Sequence, residues 1–269
     1  MTTNQIIDSL CLDENLKQRL VEFMTENKSD IDRLCTQCKN SFKCLSAKSD
    51  LMRLGVCVSY AAKYTYPQYR RLGIGENVFF DTMGDIALWC YNNKNKGLKN
   101  YNWIKNHLNC ELFRIGRLQF QLYVCNNRTL EYDCLPFDYG ARLVYIHIPQ
   151  GEKLIYSNCV KSILDAKAFF EKYFPDYEYE FFFCESWLLF DENYLFMEPS
   201  CNILQFQALF TIVFSCNDDA QAIERIFGKK RLIKSLYPEN TSLQKSAKKY
   251  MLGGNKMGIG IGLIAKDEI

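Results

Sequence analysis

This sequence has few histidines and almost no net charge. The chain of 269 residues has two histidines, and its 33 basic and 31 acidic side chains leave a formal net charge of +2. A nearly neutral chain has no electrostatic basis for binding nucleic acid or an anionic membrane surface. We therefore expect neither as a partner.

Apolar runs of membrane-spanning length are missing as well. Residues 181–190, FFFCESWLLF, number only ten and include Glu185, whereas a spanning helix needs about 20 apolar residues. The N-terminus, MTTNQIIDSLCLDEN, has neither the basic start nor the apolar core of a signal peptide. With 48% hydrophobic residues, these features predict a globular, cytoplasmic protein.

Cysteine, in contrast, is abundant. The chain contains thirteen cysteines, an odd number, scattered along its length. In a reducing compartment such residues serve mostly as small buried hydrophobes. Cys35, Cys38 and Cys44 form a cluster with a C-x-x-C spacing, yet a closed zinc site needs four ligands and the sequence has no second C-x-x-C. Packing is favoured over a metal site, and we expect no metal.

The first 110 residues show helical periodicity throughout. Residues 69–78, YRRLGIGENV, contain Arg-x-x-Gly-x-Gly, a spacing that resembles the pyrophosphate loop of acyl-CoA-dependent N-acyltransferases. Such a loop follows a strand, whereas the preceding residues, VSYAAKYTYPQY, favour a helix. We therefore interpret Gly73 as the left-handed residue that ends one helix, and Gly75 as the residue before the next. A phosphate loop here is the less favoured alternative.

The remaining residues alternate strand and helix signals. Strands are predicted at 111–125, with a bend at Gly116, at 141–149, at 177–190, near 209–216 and at 257–265. Helices are predicted at 157–175, with Ser157 or Asn158 as N-cap, and near 200–210, 218–229 and 241–254. The glycines of the last strand indicate close backbone approach or a tight hairpin. The fold class is α+β, with an all-helical N-terminal domain (1–110) packed on a mixed-sheet domain (111–269).

A second candidate phosphate loop lies after the strand at 141–149. There a strand, the segment QGEKLIYSN and a helix follow in that order, and a helix N-terminus offers N–H groups to an anion. Its one glycine, Gly151, makes the motif degenerate.

Seven stretches, in order between about residues 65 and 260, resemble bacterial proteins described as acyltransferase-domain-containing. They are DTMGDIALW, NWIKNHLNCELFRIGRLQF, YIHIP, CVKSILDAKAFF, CESWLLF, SCNILQF and TSLQKSAKKYMLGG. The resemblance implies a helical N-acyltransferase N-terminal domain and a GNAT-like C-terminal domain. It also implies that two central parallel strands, here 143–149 and 180–189, part to admit acyl-CoA.

The same resemblance implies a cofactor site. The diphosphate of acyl-CoA would face the loop after the first of these strands and the start of the helix that follows. The residues concerned are Gln150, Gly151, Asn158, Cys159, Val160 and Lys161. The sequence departs from the family pattern because Arg-x-x-Gly-x-Gly is absent from this loop.

Acyl transfer to an amine needs a base and a proton donor for the leaving thiolate. His147 is a candidate base, or else a core histidine that bonds to backbone. Glu185, inside an apolar strand, is either a base, a ligand of the substrate amine, or the partner of an arginine. Tyr145, on the same face as His147, is the candidate proton donor. Cys184 could act as a nucleophile, but buried packing is favoured.

Four further residues are candidate binding groups. Arg114 and Arg117 could bind an anionic group of the acceptor or could bridge the two domains. Trp187 shares the face of Glu185 and is a candidate substrate contact. Asn202 could touch the cofactor, although a helix cap is favoured.

The sequence thus predicts an N-acyltransferase that moves an acyl group from acyl-CoA to a small amine by direct attack. The alternative is a non-catalytic ligand-binding or regulatory protein that keeps the fold without the phosphate loop. The acceptor, the acyl length and the oligomeric state are not indicated.

Overall fold

The computed structural model describes residues 1–126 and 135–268. Contacts divide the chain into two compact units, Met1–Ile115 and Gly116–Ile269. Among the described residues, no helix combines the length and apolar character needed to cross a membrane.

The first unit is built from helices and ends in a short strand. Its helices are α1 (Thr3–Ser9), α2 (Glu14–Glu26), α3 (Lys28–Cys38), α4 (Asp50–Tyr60), α5 (Tyr66–Leu72), α6 (Glu76–Met83), α7 (Asp85–Asn92) and α8 (Tyr101–Leu108). A π-helical turn, Ala61–Thr65, joins α4 to α5, and strand β1 spans Leu112–Ile115. The continuous helical pattern at 76–92 is broken at Gly84, so it yields two helices rather than one.

The Arg-x-x-Gly-x-Gly stretch is a turn between helices, as predicted. Gly73 ends α5 in the left-handed region with φ 74°, and Gly75 is the N-cap residue of α6 with φ −66° and ψ 151°. Because no strand precedes it, its N–H groups are not arranged as a strand-to-helix phosphate loop.

The core of the first unit contains one buried charge. The Asp85 carboxylate is 4% exposed, and its Oδ2 accepts hydrogen bonds from Trp103 Nε1 at 2.7 Å and Trp89 Nε1 at 3.2 Å. His107 Nε2 lies 3.1 Å from the same oxygen. These donors satisfy a carboxylate that would be costly to bury alone.

The second unit is a mixed sheet with flanking helices. Its strands are β2 (Leu118–Val124), β3 (Arg142–His147), β4 (Phe181–Ser186), β5 (Thr211–Cys216) and β6 (Ile259–Ala265). Its helices are α9 (Tyr156–Tyr173), α10 (Asn202–Gln207), α11 (Ala220–Phe227) and α12 (Ser242–Leu252). Within this unit the order is β2-β3-β4-β6-β5. The β2–β3, β4–β6 and β5–β6 pairs are antiparallel, whereas β3 and β4 are parallel.

Two strand boundaries follow from local chemistry. Gly116, with φ 62°, separates β1 from β2 at the predicted bend, and β3 ends two residues before Pro149, which has no N–H to continue a ladder. Parallel strands need a crossover, which α9 provides between β3 and β4.

The glycines of β6 allow close backbone approach, as the sequence indicated. A Cβ atom on Gly260 would lie 2.0 Å from the carbonyl oxygen of Leu189. A Cβ atom on Gly258 would lie 2.4 Å from the ring of Phe190. Residues 189–190 therefore lie directly against this strand, where no larger side chain fits.

Candidate active site

The two parallel strands separate before they end. Their ladder consists of Val144 opposite Phe182 and Tyr145 opposite Phe183. Each strand stays paired with its other neighbour up to its carboxyl end. His147 of β3 lies opposite Gln119 of β2, and Ser186 of β4 lies opposite Gly260 of β6. The carboxyl ends of β3 and β4 are thus held by their outer neighbours but are not paired with each other.

Tyr145, His147 and Glu185 lie on one face of the sheet at this gap. The Tyr145 hydroxyl donates to the carbonyl oxygen of Glu185 at 3.4 Å and so reaches from one strand to the other. The rings of Tyr145 and His147 stack with centroids 4.2 Å apart. All three residues are half-buried, so the structure brings the three predicted catalytic side chains into one neighbourhood.

Gln121 is a neighbour of His147 that the sequence analysis did not single out. Its Oε1 lies 2.8 Å from His147 Nε2. Because an amide oxygen only accepts, Nε2–H is the donor, and the neutral ring then carries its lone pair on Nδ1. The signal was the alternation of β2, which places a glutamine on the face that His147 occupies.

An apolar surface adjoins these polar groups on the same face. Its buried members are Leu143, Phe183, Ile261 and Leu263, and partly buried aromatic residues pack around them, Tyr123, Phe137, Tyr145, Phe181 and Phe214 among them. A cleft of about 590 Å³ opens beside this surface at the start of β3 and β4, between residues 136–143 and 178–181. This cleft lies at the opposite end of the strands from the gap.

The loop after β3 and the first turn of α9 form the predicted cofactor edge. Gln150 and Gly151 are exposed, and Gly151 has φ 119°. The helix begins at Tyr156 with Ile155 as N-cap residue. The prediction that Ser157 or Asn158 caps it is therefore wrong. The polar residues that resembled caps instead lie on the exposed side of the first turn.

This earlier start changes which backbone groups are available. The N–H groups of Asn158 and Cys159 donate to the Ile155 carbonyl oxygen at 3.0 and 3.1 Å. Tyr156 and Ser157 precede them, where a helix offers N–H groups without an intrahelical acceptor. The Cys159 side chain is fully buried.

Val160 and Lys161 lie beyond the first turn. Their N–H groups fall within the helical ladder, and the exposed Lys161 ammonium pairs with Asp165 at 2.8 Å. The N–H groups of the first turn without an intrahelical acceptor are therefore those of Tyr156 and Ser157 rather than those of residues 158–161.

The Arg117 side chain binds the loop after β3. Its side chain is 5% exposed and donates to the carbonyl oxygens of Pro149, Glu152 and Lys153 at 3.0, 2.7 and 3.1 Å. The guanidinium is thus engaged by the loop after β3. Arg114, on β1, is half-buried, and its backbone N–H donates to Thr82 Oγ1 at 2.9 Å.

Trp187 and Asn202 lie after β4 and at the start of α10, respectively. Trp187 lies in a 3₁₀ turn after β4 and packs against a core that includes Ala222, Ile223 and Tyr250. Asn202 is the first residue of α10, whose N-cap residue is Cys201, so the favoured capping role is wrong. The structure brings neither side chain to a described contact with Tyr145, His147 or Glu185.

Cys184 does not share the face of Tyr145, His147 and Glu185. Cys184 is fully buried on the opposite face of β4 from Glu185, and burial raises the pKa of its thiol, which disfavours the nucleophilic thiolate. Cys38 and Cys44 have sulfur atoms 3.5 Å apart. Among residues 1–126 and 135–268, no group of three or more potential ligands could hold a metal ion.

Both units match known protein families. Residues 1–110 match the N-acyltransferase N-terminal domain family, and residues 112–264 match the GNAT-like C-terminal domain family. A search of curated proteins gave no match.

Solved structures of similar fold are acyltransferases. One, in complex with decanoyl-CoA and teicoplanin, superposes with a TM-score of 0.79 at 17% identity, covering 98% of this chain and 87% of that one. A mutant acyltransferase in complex with octanoyl-CoA gives 0.77 at 18% identity with the same coverage. A third, with CoA and 10C-teicoplanin, gives 0.68 at 19% identity and covers 80% of this chain and 66% of that one. The chain therefore belongs to the family in which an N-acyltransferase N-terminal domain precedes a GNAT-like C-terminal domain.

Proposed function

We propose that this protein is an acyl-CoA-dependent N-acyltransferase that acts on the amine of a small acceptor. The observation that carries the proposal is the gap between β3 and β4, beyond the Tyr145–Phe183 pair, with His147, Tyr145 and Glu185 on one face beside it. Membership of the N-acyltransferase family supports the same reaction.

The proposed reaction is a direct transfer. The amine nitrogen attacks the thioester carbon, and His147, through Nδ1, takes the proton that the nitrogen loses. Glu185 either binds the amine or serves as the base in place of His147. Backbone N–H groups of β3 at the gap stabilise the oxyanion. The carbon–sulfur bond then breaks, and Tyr145 protonates the CoA thiolate.

The cofactor would lie along the edge formed by the loop after β3 and the start of α9. Residues Gln150, Gly151, Tyr156 and Ser157 would face its diphosphate, because a helix N-terminus and outward N–H groups favour an anion. The apolar surface around Phe183 and Leu263 would receive the acyl chain. Structural relatives bind octanoyl- and decanoyl-CoA, and we propose chains of similar length here. Asn202, at the start of α10, remains a proposed cofactor contact and Trp187 and Arg114 proposed acceptor contacts.

We also propose a cytoplasmic location. Twelve cysteines in the described part of the chain are free thiols, which suits a reducing compartment that also supplies acyl-CoA.

Ligand-induced stabilisation tests the function. Thermal unfolding is measured with CoA and with acetyl-, octanoyl- and decanoyl-CoA, because a ligand at 100 times its Kd adds about 2.7 kcal/mol to the stability of the folded state. We expect stabilisation by all four, strongest for the longer acyl chains. If no CoA thioester shifts the transition, the transferase proposal fails.

Catalysis is then measured by mass spectrometry of a panel of small amines incubated with octanoyl-CoA. Transfer appears as an amine that gains the octanoyl mass together with release of free CoA. The missing Arg-x-x-Gly-x-Gly in the loop after β3 favours the alternative of a non-catalytic ligand-binding or regulatory protein. Binding of acyl-CoA without transfer to any amine of the panel would support that alternative.

A further inference from the structure

We propose that Arg117 is a positioning residue for the diphosphate of acyl-CoA, holding the loop after β3 so that backbone N–H groups face the cofactor. The inference rests on the proposed function. It explains how a loop without the Arg-x-x-Gly-x-Gly pattern could still present backbone N–H groups to a diphosphate.

Arg117 engages the loop with all three nitrogen positions of its guanidinium. Nε donates to the Lys153 carbonyl oxygen at 3.1 Å, Nη1 to that of Pro149 at 3.0 Å and Nη2 to that of Glu152 at 2.7 Å. The side chain is 5% exposed, whereas residues 150–153 are exposed. The loop therefore has an inner side that faces a buried cation and an outer side that faces solvent.

Peptide geometry fixes what the outer side presents. In a planar trans peptide, the N–H of one residue points opposite to the C=O of the residue before it. Three carbonyls turned toward Arg117 therefore turn the N–H groups of Gln150, Lys153 and Leu154 away from it. In the proposed site, this outer side of the loop is the one that faces the diphosphate.

Arg117 itself is held in place by the same helix. Its backbone N–H donates to Ser162 Oγ of α9 at 2.7 Å. Gly116, with φ 62°, lies so close that a Cβ atom would be 2.7 Å from the same Ser162 oxygen. The turn before β2, the loop after β3 and helix α9 are thus joined at one buried point.

The chemistry requires a guanidinium. Its planar fork supplies several N–H donors in fixed directions, whereas an ammonium is a point charge on a flexible stem. Arg117→Lys keeps the charge but cannot hold three carbonyls in the same arrangement. Hydrogen bonds from charged donors are the stronger kind, so the loop loses its fixed orientation.

The test compares two ligands. Octanoyl-CoA carries the diphosphate, and octanoyl-pantetheine has the same thioester and pantetheine arm without it. Binding to the native chain and to Arg117→Lys is measured by calorimetry. We expect Kd for octanoyl-CoA to rise about 10- to 100-fold while Kd for octanoyl-pantetheine stays within about twofold.

Arg142→Lys is the matched control. Arg142 opens β3, and its guanidinium donates to the Asp176 carbonyl oxygen at 3.0 Å, away from the loop. We expect its Kd for octanoyl-CoA to match that of the native chain.

The outcomes separate the inference from the function. A native chain that binds neither ligand overturns the proposed function. A native chain that binds octanoyl-CoA while Arg117→Lys binds it equally well overturns only the inference. Equal weakening of both ligands also overturns it, since the effect would not be specific to the diphosphate.

Hydrogen exchange on the native chain keeps the inference testable if Arg117→Lys fails to fold. CoA should slow exchange of the amides of Lys153 and Leu154 at least about tenfold, and pantetheine should not. Unchanged exchange at these amides with CoA bound would contradict the proposed orientation. Free guanidinium added to Arg117→Ala should restore part of the lost affinity for CoA, and the absence of any restoration would argue against the guanidinium as the group responsible.

Discussion

The imidazole of His147 lies nearly parallel to the phenol ring of Tyr145, with 18° between the ring planes. His147 Nε2 lies 2.8 Å from Gln121 Oε1, so two contacts restrain the ring. A restrained imidazole suits a general base, which must meet a substrate proton in a defined direction.

Replacement of His147 by Gln should lower kcat for amine acylation about 10²- to 10⁴-fold, the range that general base catalysis contributes. KM for acyl-CoA should change little, since the loop after β3 is untouched. Steady-state kinetics with a saturating amine measures both constants.

Two companion variants sharpen this result. Gln121→Leu removes the acceptor at Nε2 and should reduce kcat less, about tenfold, because the ring remains but its tautomer is no longer fixed. Glu185→Gln should lower kcat less than His147→Gln. If His147→Gln retains the native rate while Glu185→Gln loses it, the base is Glu185.

Cys184 should be dispensable for the reaction. Because burial raises the pKa of its thiol, the thiolate is disfavoured and a covalent acyl-enzyme at this position is not expected. Cys184→Ala should keep kcat within about threefold. Alkylation by iodoacetamide at pH 8, followed by peptide mass spectrometry, should label the exposed Cys11 and leave Cys184 unmodified. A stable octanoyl adduct on Cys184 would contradict direct transfer.

Stability should fall in mild alkali because of buried thiols in the first unit. Burial raises the pKa of Cys35 to about 11. A thiol whose pKa rises on folding stabilises the protein fully below its unfolded pKa, near 8.5, and loses that contribution as pH rises toward the folded value. The free energy of unfolding should therefore drop by about 1–2 kcal/mol for this thiol between pH 8.5 and 10.

Urea unfolding in reductant at pH 8 and pH 10 measures this drop. The free energy of unfolding should drop less in Cys35→Ala than in the native chain. In Cys11→Ala, which removes an exposed thiol, it should drop as much as in the native chain. Identical losses in both variants would rule out Cys35 as a contributor.

The Asp85 carboxylate should be a large contributor to the stability of the first unit. Asp85→Ala removes the carboxylate oxygen that contacts Trp89, Trp103 and His107, which should cost about 3–5 kcal/mol. Asp85→Asn keeps an acceptor oxygen of the same size and should cost less. Equilibrium unfolding followed by tryptophan fluorescence measures the free energy of unfolding of both variants. Equal losses would mean that the size of the side chain matters rather than its hydrogen bonds.

Local signals predicted much of the second unit. Gly116, Pro149 and the glycines of β6 mark boundaries and close approaches because their constraints act on the backbone at their own positions. The apolar run at 181–186 indicated a central strand because both of its faces are covered. The fold class and the position of the candidate site followed from these signals together with the family resemblance.

The sequence did not predict contacts between residues that are far apart in the chain. Arg117 binds carbonyls 32 to 36 residues away, and no periodicity specifies which strand side chain meets which loop. The start of α9 was misplaced because Ser157 and Asn158 are good cap residues, whereas the helix begins after Ile155 with no side-chain cap. The break at Gly84 was missed because the apolar spacing continues across it.

The single parallel ladder of the second unit is a seam between two antiparallel halves, β2–β3 on one side and β4–β6–β5 on the other. In the described part of the chain, the backbone pairing between the halves is the short stretch of Val144–Tyr145 with Phe182–Phe183, and the Tyr145 hydroxyl adds a bond to the Glu185 carbonyl oxygen. Widening the opening would therefore break fewer backbone hydrogen bonds than a change within either half. If the proposed function holds, we expect this seam to accommodate acyl groups of different size.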